Sequence, residues 1–179
     1  MECESKTNYC NNRTNKKLGK IIILNGVSSS GKTTLAMELQ EQSEVLLFRI
    51  SVDDFINMIP QKAMCIDTIK YAIEMMLRTI RSFSERGFSV VVDIVILKSL
   101  GTWDILLEHL HDLPLLLVHV HCPIDELRRR EIQRGDREIG QGESQLNDLF
   151  PQEQYNLDID TYKYSISDCA KQILAVFNK

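Results

Sequence analysis

Short apolar runs alternate along the chain with segments in which apolar residues recur every three or four positions. The runs predict five strands, at 21–24, 45–50, 88–94, 115–121 and 155–161. The other pattern predicts helices at 32–42, about 63–86, 102–111, 123–134 and from Ser165 onward, with 135–154 as a loop-like stretch. Continuous apolar strands separated by helices are typical of a mostly parallel sheet covered on both faces, so we expect an α/β fold. In such a fold the ligand cleft lies beyond the carboxyl ends of the strands.

Composition narrows the class of protein. The 179 residues, 44% of them hydrophobic, fit a single domain at 19–179, preceded by a flexible polar tail at 1–18. A net charge of −4 argues against a general nucleic-acid binder, and no apolar stretch approaches the roughly 18 residues that span a membrane. The five cysteines are scattered, which favours free thiols in a reducing cytoplasm.

The first strand leads into a loop of the form G-x-x-x-x-G-K-[ST], followed by a helical pattern. Its glycines let consecutive N–H groups point at phosphates, and the helix adds about half a positive charge there. Lys32 is expected to contact the β- and γ-phosphates of a nucleoside triphosphate, and the Thr33 hydroxyl to ligate Mg²⁺. The predicted nucleotide-binding residues are Gly26, Val27, Ser28, Ser29, Ser30, Gly31, Lys32, Thr33 and Thr34.

Three carboxylates lie at or just past the ends of predicted strands. Asp53 and Asp54 come just past the second strand, where one could accept the proton of an acceptor hydroxyl; the alternative is an N-cap for the next helix. Asp93 ends the apolar run 90–92, and an acid there is expensive to bury without a cation. We therefore interpret Asp93 as a Walker-B-type carboxylate near Mg²⁺, directly or through water. The alternative is a substrate-facing or helix-capping aspartate.

Arginines cluster in a glycine-flanked segment that could close over the nucleotide as a lid, at about 128–148. Arg134 and Arg137, nearest the glycines, are the better candidates for phosphate contact. Arg128 and Arg129 are more simply a solvated helix face with i,i+4 pairs, such as Glu126–Arg130 in the same helix.

Two histidines, His119 and His121, share one face of the fourth strand. An H-x-H pair can ligate a metal, but the sequence offers no third ligand at a useful spacing. Ordinary strand-end histidines are therefore the favoured interpretation.

Five motifs, in order over nearly all of 20–175, resemble the chloramphenicol phosphotransferase family of small P-loop kinases. They are I-I-I-L-N-G-x-S-S-x-G-K at 21–32, V-D-x-x-I-x-x-x-P at 52–60, V-V-D after Gly87, R-E-x-x-R-G-D-R at 130–137 and Y-x-x-x-[VI]-D-T at 155–161. The resemblance implies a five-stranded parallel sheet, ATP as donor and a hydroxyl of a small molecule as acceptor. It assigns the base to Asp53 rather than Asp54, and Arg134 and Arg137 to the lid side of the nucleotide site.

The chain departs from the family pattern after Pro60. The family's type enzyme has a longer, glycine-rich segment there that helps line the acceptor pocket, whereas 61–68 leads almost directly into the long helix. We therefore expect an ATP- and Mg²⁺-dependent kinase whose acceptor is open: chloramphenicol, or another hydroxyl compound such as a sugar, a nucleotide or a nucleotide-sugar. A nucleotide-gated binding protein, in which the P-loop acts as a switch, is the alternative from another class.

Overall fold

The computed structural model describes residues 17–135, 139–150 and 154–179. Five parallel strands form one sheet in the order β2-β3-β1-β4-β5. The strands are β1 (Ile21–Asn25), β2 (Leu47–Ser51), β3 (Ser89–Ile94), β4 (Leu115–His121) and β5 (Leu157–Asp160). The helices are α1 (Lys32–Gln42), α2 (Val52–Ile56), α3 (Ile66–Glu85), α4 (Thr102–Leu110), α5 (Ile124–Arg134), α6 (Gln141–Leu146) and α7 (Ile166–Phe177).

Successive residues of β1 enter two separate cores, because strand side chains alternate between the faces of a sheet. Ile21 and Ile23 pack with α3 and α4, whereas Ile22 and Leu24 pack with α1 and α7. All four side chains are fully buried. The predicted three-layer α/β architecture with a five-stranded parallel sheet is confirmed.

Several boundaries differ from the predicted ones by a few residues. The second and fifth strands begin two residues later than predicted, at Leu47 and Leu157. The long helix begins at Ile66, because the residues before it form a separate 3-10 turn, Gln61–Ala63.

The stretch 135–154, predicted to be loop-like, contains the short helix α6. Its sequence is polar and has no apolar periodicity, so its support comes from elsewhere in the chain. Glu131 of α5 is 1% exposed and accepts hydrogen bonds from the N–H groups of Gly140 and Gly142, at 2.7 and 2.8 Å. A carboxylate at a helix N-terminus satisfies its free donors and favours its dipole. This contact from a neighbouring helix could not be predicted from the local pattern.

Replacing Glu131 with alanine is expected to lower the free energy of unfolding by about 2 kcal/mol, since two N–H groups would lose a charged acceptor. Urea unfolding measures the change. Glu143→Ala is the control, because its carboxylate is exposed and its pairing with Arg128 is of the surface kind, which contributes less than about 1 kcal/mol. Equal losses in both variants would contradict a capping role for Glu131.

Among the helices of the described residues, none has the length and apolarity needed to cross a bilayer. Of the predicted tail, all but Lys17 and Leu18 lie outside the described residues, and both of these are exposed. The three described cysteines, Cys65, Cys122 and Cys169, are free thiols.

Candidate active site

A cavity of about 590 Å³ lies at the carboxyl ends of β1, β2 and β3. Its walls come from the loop after β1, from α2 and α3, from the segment after β3, and from α5 and α6. The cleft therefore lies beyond the carboxyl ends of the strands, where it was predicted.

The loop between β1 and α1 has the shape of a phosphate cradle. A Cβ added to Gly26 would lie 2.0 Å from the carbonyl oxygen of Val120, so only glycine fits beside β4. Ser29 and Gly31 have positive φ angles of 63° and 100°, which turn the chain back before the helix. The hydroxyls of Ser29 and Ser30 are buried without a hydrogen-bond partner among the described residues. Unpartnered buried hydroxyls in a phosphate-binding loop are suited to a polar ligand.

Lys32, Thr33 and Asp93 meet at the base of the cavity. The Lys32 ammonium is buried, donates to the Val27 carbonyl at 3.0 Å and lies 3.7 Å from a carboxylate oxygen of Asp93. The Thr33 hydroxyl donates to the other carboxylate oxygen at 2.5 Å. Asp93 thus lies beside the phosphate loop and next to the Lys32 cation. A hydroxyl and a carboxylate in contact are the oxygen donors that Mg²⁺ prefers, so this pair fits that ion.

Asp53 and Asp54 differ in their placement. Both carboxylates lie in the first turn of α2, and the helix is capped by the Ser51 hydroxyl, which accepts from the N–H of Asp53 at 3.3 Å. Capping therefore falls to Ser51 and to neither aspartate. Both residues are exposed, but only Asp53 is among the described residues that line the cavity.

The wall next to Asp53 is apolar. Among the described residues that α2, α3 and the segment after β3 contribute, Asp53 carries the only charge. The others are Val52, Ile56, Ile69, Ile73, Val95, Leu97 and Leu100.

Arg130 lines the cavity, although the sequence reasoning placed it only in a solvated i,i+4 pair. That pair exists, with 2.7 Å between Arg130 and Glu126, but the other end of the guanidinium contacts the carbonyl of Ser29 at 3.3 Å and the hydroxyl of Thr161 at 3.1 Å. The Thr161 hydroxyl in turn donates to the carbonyl of Ser30 at 2.7 Å. Arg130 thus ties α5 and the end of β5 to the phosphate loop. Its position at the start of R-E-x-x-R-G-D-R was the available signal.

The other described arginines of this segment fall into two groups, one at the cavity and one on the surface. Arg134, the last residue of α5, lines the cavity, and Arg137 lies outside the described residues. Arg128 and Arg129 are exposed and paired, Arg128 with Glu143 of α6 and Arg129 with Glu126. Hydrogen bonding by Arg129, reinforced by Arg130, lowers the pKa of Glu126 to about 2.

Helix α6 lies directly on the phosphate loop, a contact that the sequence did not reveal. The Gln145 side-chain oxygen accepts from the N–H of Ser28 at 2.7 Å. A Cβ on Gly142 would lie 2.7 Å from the Ser28 carbonyl, so this glycine permits the close approach. A carboxamide oxygen on a loop amide occupies a donor that such loops offer to phosphate.

A parallel sheet of this order with a phosphate loop after β1 defines the class of P-loop kinase folds. A model of the family described as "CPT: Chloramphenicol phosphotransferase-like protein" matches residues 19–178, and the chain belongs to that family. A Mycobacterium tuberculosis protein, provisionally described as an O-phosphotransferase, is 25% identical over 182 residues, covering 87% of this chain and 80% of its own.

Two solved structures share the fold. The APS kinase of Mycobacterium tuberculosis, solved with AMPPNP and APS, has a TM-score of 0.71 at 14% identity and covers 90% of this chain and 99% of its own. A gluconokinase from Sinorhizobium meliloti has a TM-score of 0.64 at 22% identity, with coverages of 91% and 95%. The predicted class of enzyme, a kinase with a nucleotide-binding P-loop, is confirmed by the family, and the fold by these neighbours.

Proposed function

We propose that this protein transfers the γ-phosphate of ATP, with Mg²⁺, to a hydroxyl of a small molecule that has an apolar body. One observation carries the proposal: Lys32 and Asp53 line the same cavity. Lys32 lies on the helix that follows β1, and Asp53 lies on the helix that follows β2. Asp93 also lines the cavity, at the end of β3, which lies between those two strands in the sheet. A phosphate cradle and an acceptor-side carboxylate in one cavity are the parts that phosphoryl transfer to a hydroxyl requires.

In the proposed mechanism the loop amides and Lys32 bind the β- and γ-phosphates and stabilise the charge of the transferring group. Asp53 orients the acceptor hydroxyl and accepts its proton as the oxygen bonds to the γ-phosphorus and the bond to the β-phosphate oxygen breaks. The products are a phosphate monoester and ADP. Thr33 and Asp93 would hold Mg²⁺, which neutralises phosphate charge when bound.

We assign Arg130, Arg134 and Arg137 to the lid side of the nucleotide site. Arg130 and Arg134 line the cavity, and Arg137 is proposed on the resemblance of its motif alone. In this proposal the lid is about 128–148, and ATP displaces the Gln145 oxygen from the Ser28 amide. That exchange would couple α6 to the occupancy of the loop.

The apolar wall favours one kind of acceptor. A sugar or a nucleotide-sugar presents many hydroxyls, and its binding would need polar partners that the described lining residues near Asp53 do not provide. Chloramphenicol, which joins hydroxyls to an aromatic ring, matches this wall and the family of the chain. We propose it as the first acceptor to test. The free thiols Cys122 and Cys169 and the use of ATP support a cytoplasmic site of action.

The test is ADP formation from ATP and Mg²⁺ against a panel of hydroxyl compounds that includes chloramphenicol, sugars, nucleosides and nucleotide-sugars. We expect acceptor-dependent turnover that is highest with neutral, partly apolar alcohols. Turnover confined to sugars or nucleotides would support the alternative acceptor classes. Acceptor-independent hydrolysis would favour a nucleotide-gated switch and contradict the proposal.

Replacing Ile69 with alanine is expected to raise the KM for an apolar acceptor about tenfold, because the variant removes apolar contact from the acceptor wall. The KM for ATP should stay at the wild-type value. Steady-state kinetics with each substrate varied in turn makes the measurement. Met75→Ala is the matched control, since Met75 lies on the same helix, is 41% exposed and is not among the described residues that line the cavity. An unchanged acceptor KM in Ile69→Ala would contradict the assignment of this wall.

A further inference from the structure

Three potential metal ligands converge at one edge of the sheet. His119 and His121 lie two residues apart on β4, so their side chains share a face, and His119 pairs in register with Asp158 of the edge strand β5. One ligand atom from each of the three lies within 4.8 Å of the other two. The third ligand, which sequence spacing did not indicate, is thus Asp158, and strand pairing places it beside the histidines.

The contacts among the three are specific. The imidazole rings are stacked, with 5.1 Å between their centroids, and the Asp158 carboxylate joins them. One carboxylate oxygen lies 2.6 Å from Nδ1 of His119, and the other lies 3.0 Å from Nε2 of His121. The arrangement therefore presents two imidazole nitrogens and one carboxylate, a donor set that suits zinc and related divalent ions.

The surroundings hold the cluster in place. The side chain of His119 is only 15% exposed, so packing restricts the position of the ring. The Tyr155 ring lies 5.0 Å from the His119 ring, and its hydroxyl is hydrogen-bonded to Asn25.

Solvent reaches the cluster through its other two members. His121 is 34% exposed and Asp158 is 46% exposed, so an ion can enter and keep a water ligand. The donor set also differs from that at the base of the cavity, where a hydroxyl and a carboxylate meet. Mg²⁺ prefers such oxygen donors, whereas imidazole selects borderline transition metals.

We propose that His119, His121 and Asp158 bind one divalent transition-metal ion, Zn²⁺ first among them, with a coordination position open to water. The ion would fasten β5 to β4. Since β5 has four residues, is an edge strand and is followed by Thr161, which contacts the phosphate loop, fastening it would also support that loop. Metal binding at this cluster requires neither the acceptor nor the proposed phosphoryl transfer.

Titration of the full chain, with its thiols reduced, by Co²⁺ and then by Zn²⁺ tests the site. We expect one equivalent of Co²⁺ to give visible d–d absorption that Zn²⁺ displaces, with no loss of the signal in excess Mg²⁺. His121→Ala and Asp158→Asn should each weaken Co²⁺ binding at least about tenfold. Losing a residue that only hydrogen-bonds a metal ligand already lowers metal affinity by about that factor, and a ligand itself contributes at least as much. His111→Ala is the matched control, since His111 is exposed and contacts the Leu107 carbonyl outside the cluster.

Thermal unfolding supplies a second readout. Zn²⁺ should raise the Tm of the wild-type protein and of His111→Ala, but not that of His121→Ala or Asp158→Asn. Asp158→Asn keeps the size of the side chain, so it tests the site even if His121→Ala unfolds. Absence of stoichiometric binding, equal binding by all variants, or a thiolate charge-transfer band that shows cysteine ligands would each overturn the proposal.

Discussion

Replacing Lys32 with alanine is expected to lower kcat/KM for phosphoryl transfer by about 10³-fold, which corresponds to about 4 kcal/mol of transition-state stabilisation. The physical reason is its position. The ammonium is buried beside Asp93 and held by the Val27 carbonyl, so its charge is fixed next to the loop amides and is weakly screened. Arg130 is not available to replace it, because its guanidinium is already engaged with Glu126 and Thr161.

The measurement is the initial rate of ADP formation with the best acceptor of the panel. Lys171→Ala is the control, because Lys171 is exposed on α7 and pairs with Asp168 three residues earlier. It should retain the wild-type rate. Thermal unfolding of Lys32→Ala separates lost catalysis from lost folding. A folded Lys32→Ala protein with a rate within tenfold of wild type would contradict the role of the loop as a catalytic phosphate site.

The donor half of the site could be predicted because its signal is local. The phosphate loop is contiguous in sequence, and each buried parallel strand is a continuous apolar run, so spacing alone determines both. Asp93 followed from the same reasoning, since an acid at the end of such a run needs a cation, and Lys32 lies 3.7 Å away.

The acceptor half could be predicted only in part. The position of Asp53 and Asp54 after β2 indicated an acid at the cavity, but the local pattern does not distinguish the two. The family resemblance alone favoured Asp53, which is the one that lines the cavity. The apolar wall itself is assembled from three separate segments. Its residues looked like ordinary core positions in the sequence, because periodicity reports that a side chain is covered and not what covers it.

The contacts that could not be predicted are those between separate elements of the fold. Arg130 contacts Ser29, 101 positions earlier, and Gln145 contacts Ser28, 117 positions earlier. Glu131 looked like one more charge on a solvated helix, yet it is buried as the cap of α6. Asp158 joins the two histidines only through the register of β4 and β5. Each of these depends on how elements pack, which local patterns do not specify.

Replacing Asp53 with asparagine is expected to lower kcat by about 10²- to 10⁴-fold while leaving ATP affinity unchanged. Asparagine has nearly the same shape, so α2 and its Ser51 cap should persist, but its amide cannot accept the hydroxyl proton. The phosphate loop follows a different strand, β1. The loss should therefore appear in kcat, with the dissociation constant of ATP measured separately by calorimetry.

The chain provides a matched control in the next residue. Asp54→Asn removes the same charge from the same turn of α2, but Asp54 is not among the described residues lining the cavity. A general electrostatic effect of the two acids would slow both variants to a similar degree, because their charges occupy adjacent positions. A base that touches the acceptor would slow only Asp53→Asn. Wild-type turnover by Asp53→Asn, or an equal loss in Asp54→Asn, would remove Asp53 from the mechanism and leave the proton of the acceptor hydroxyl to solvent or to the phosphate itself.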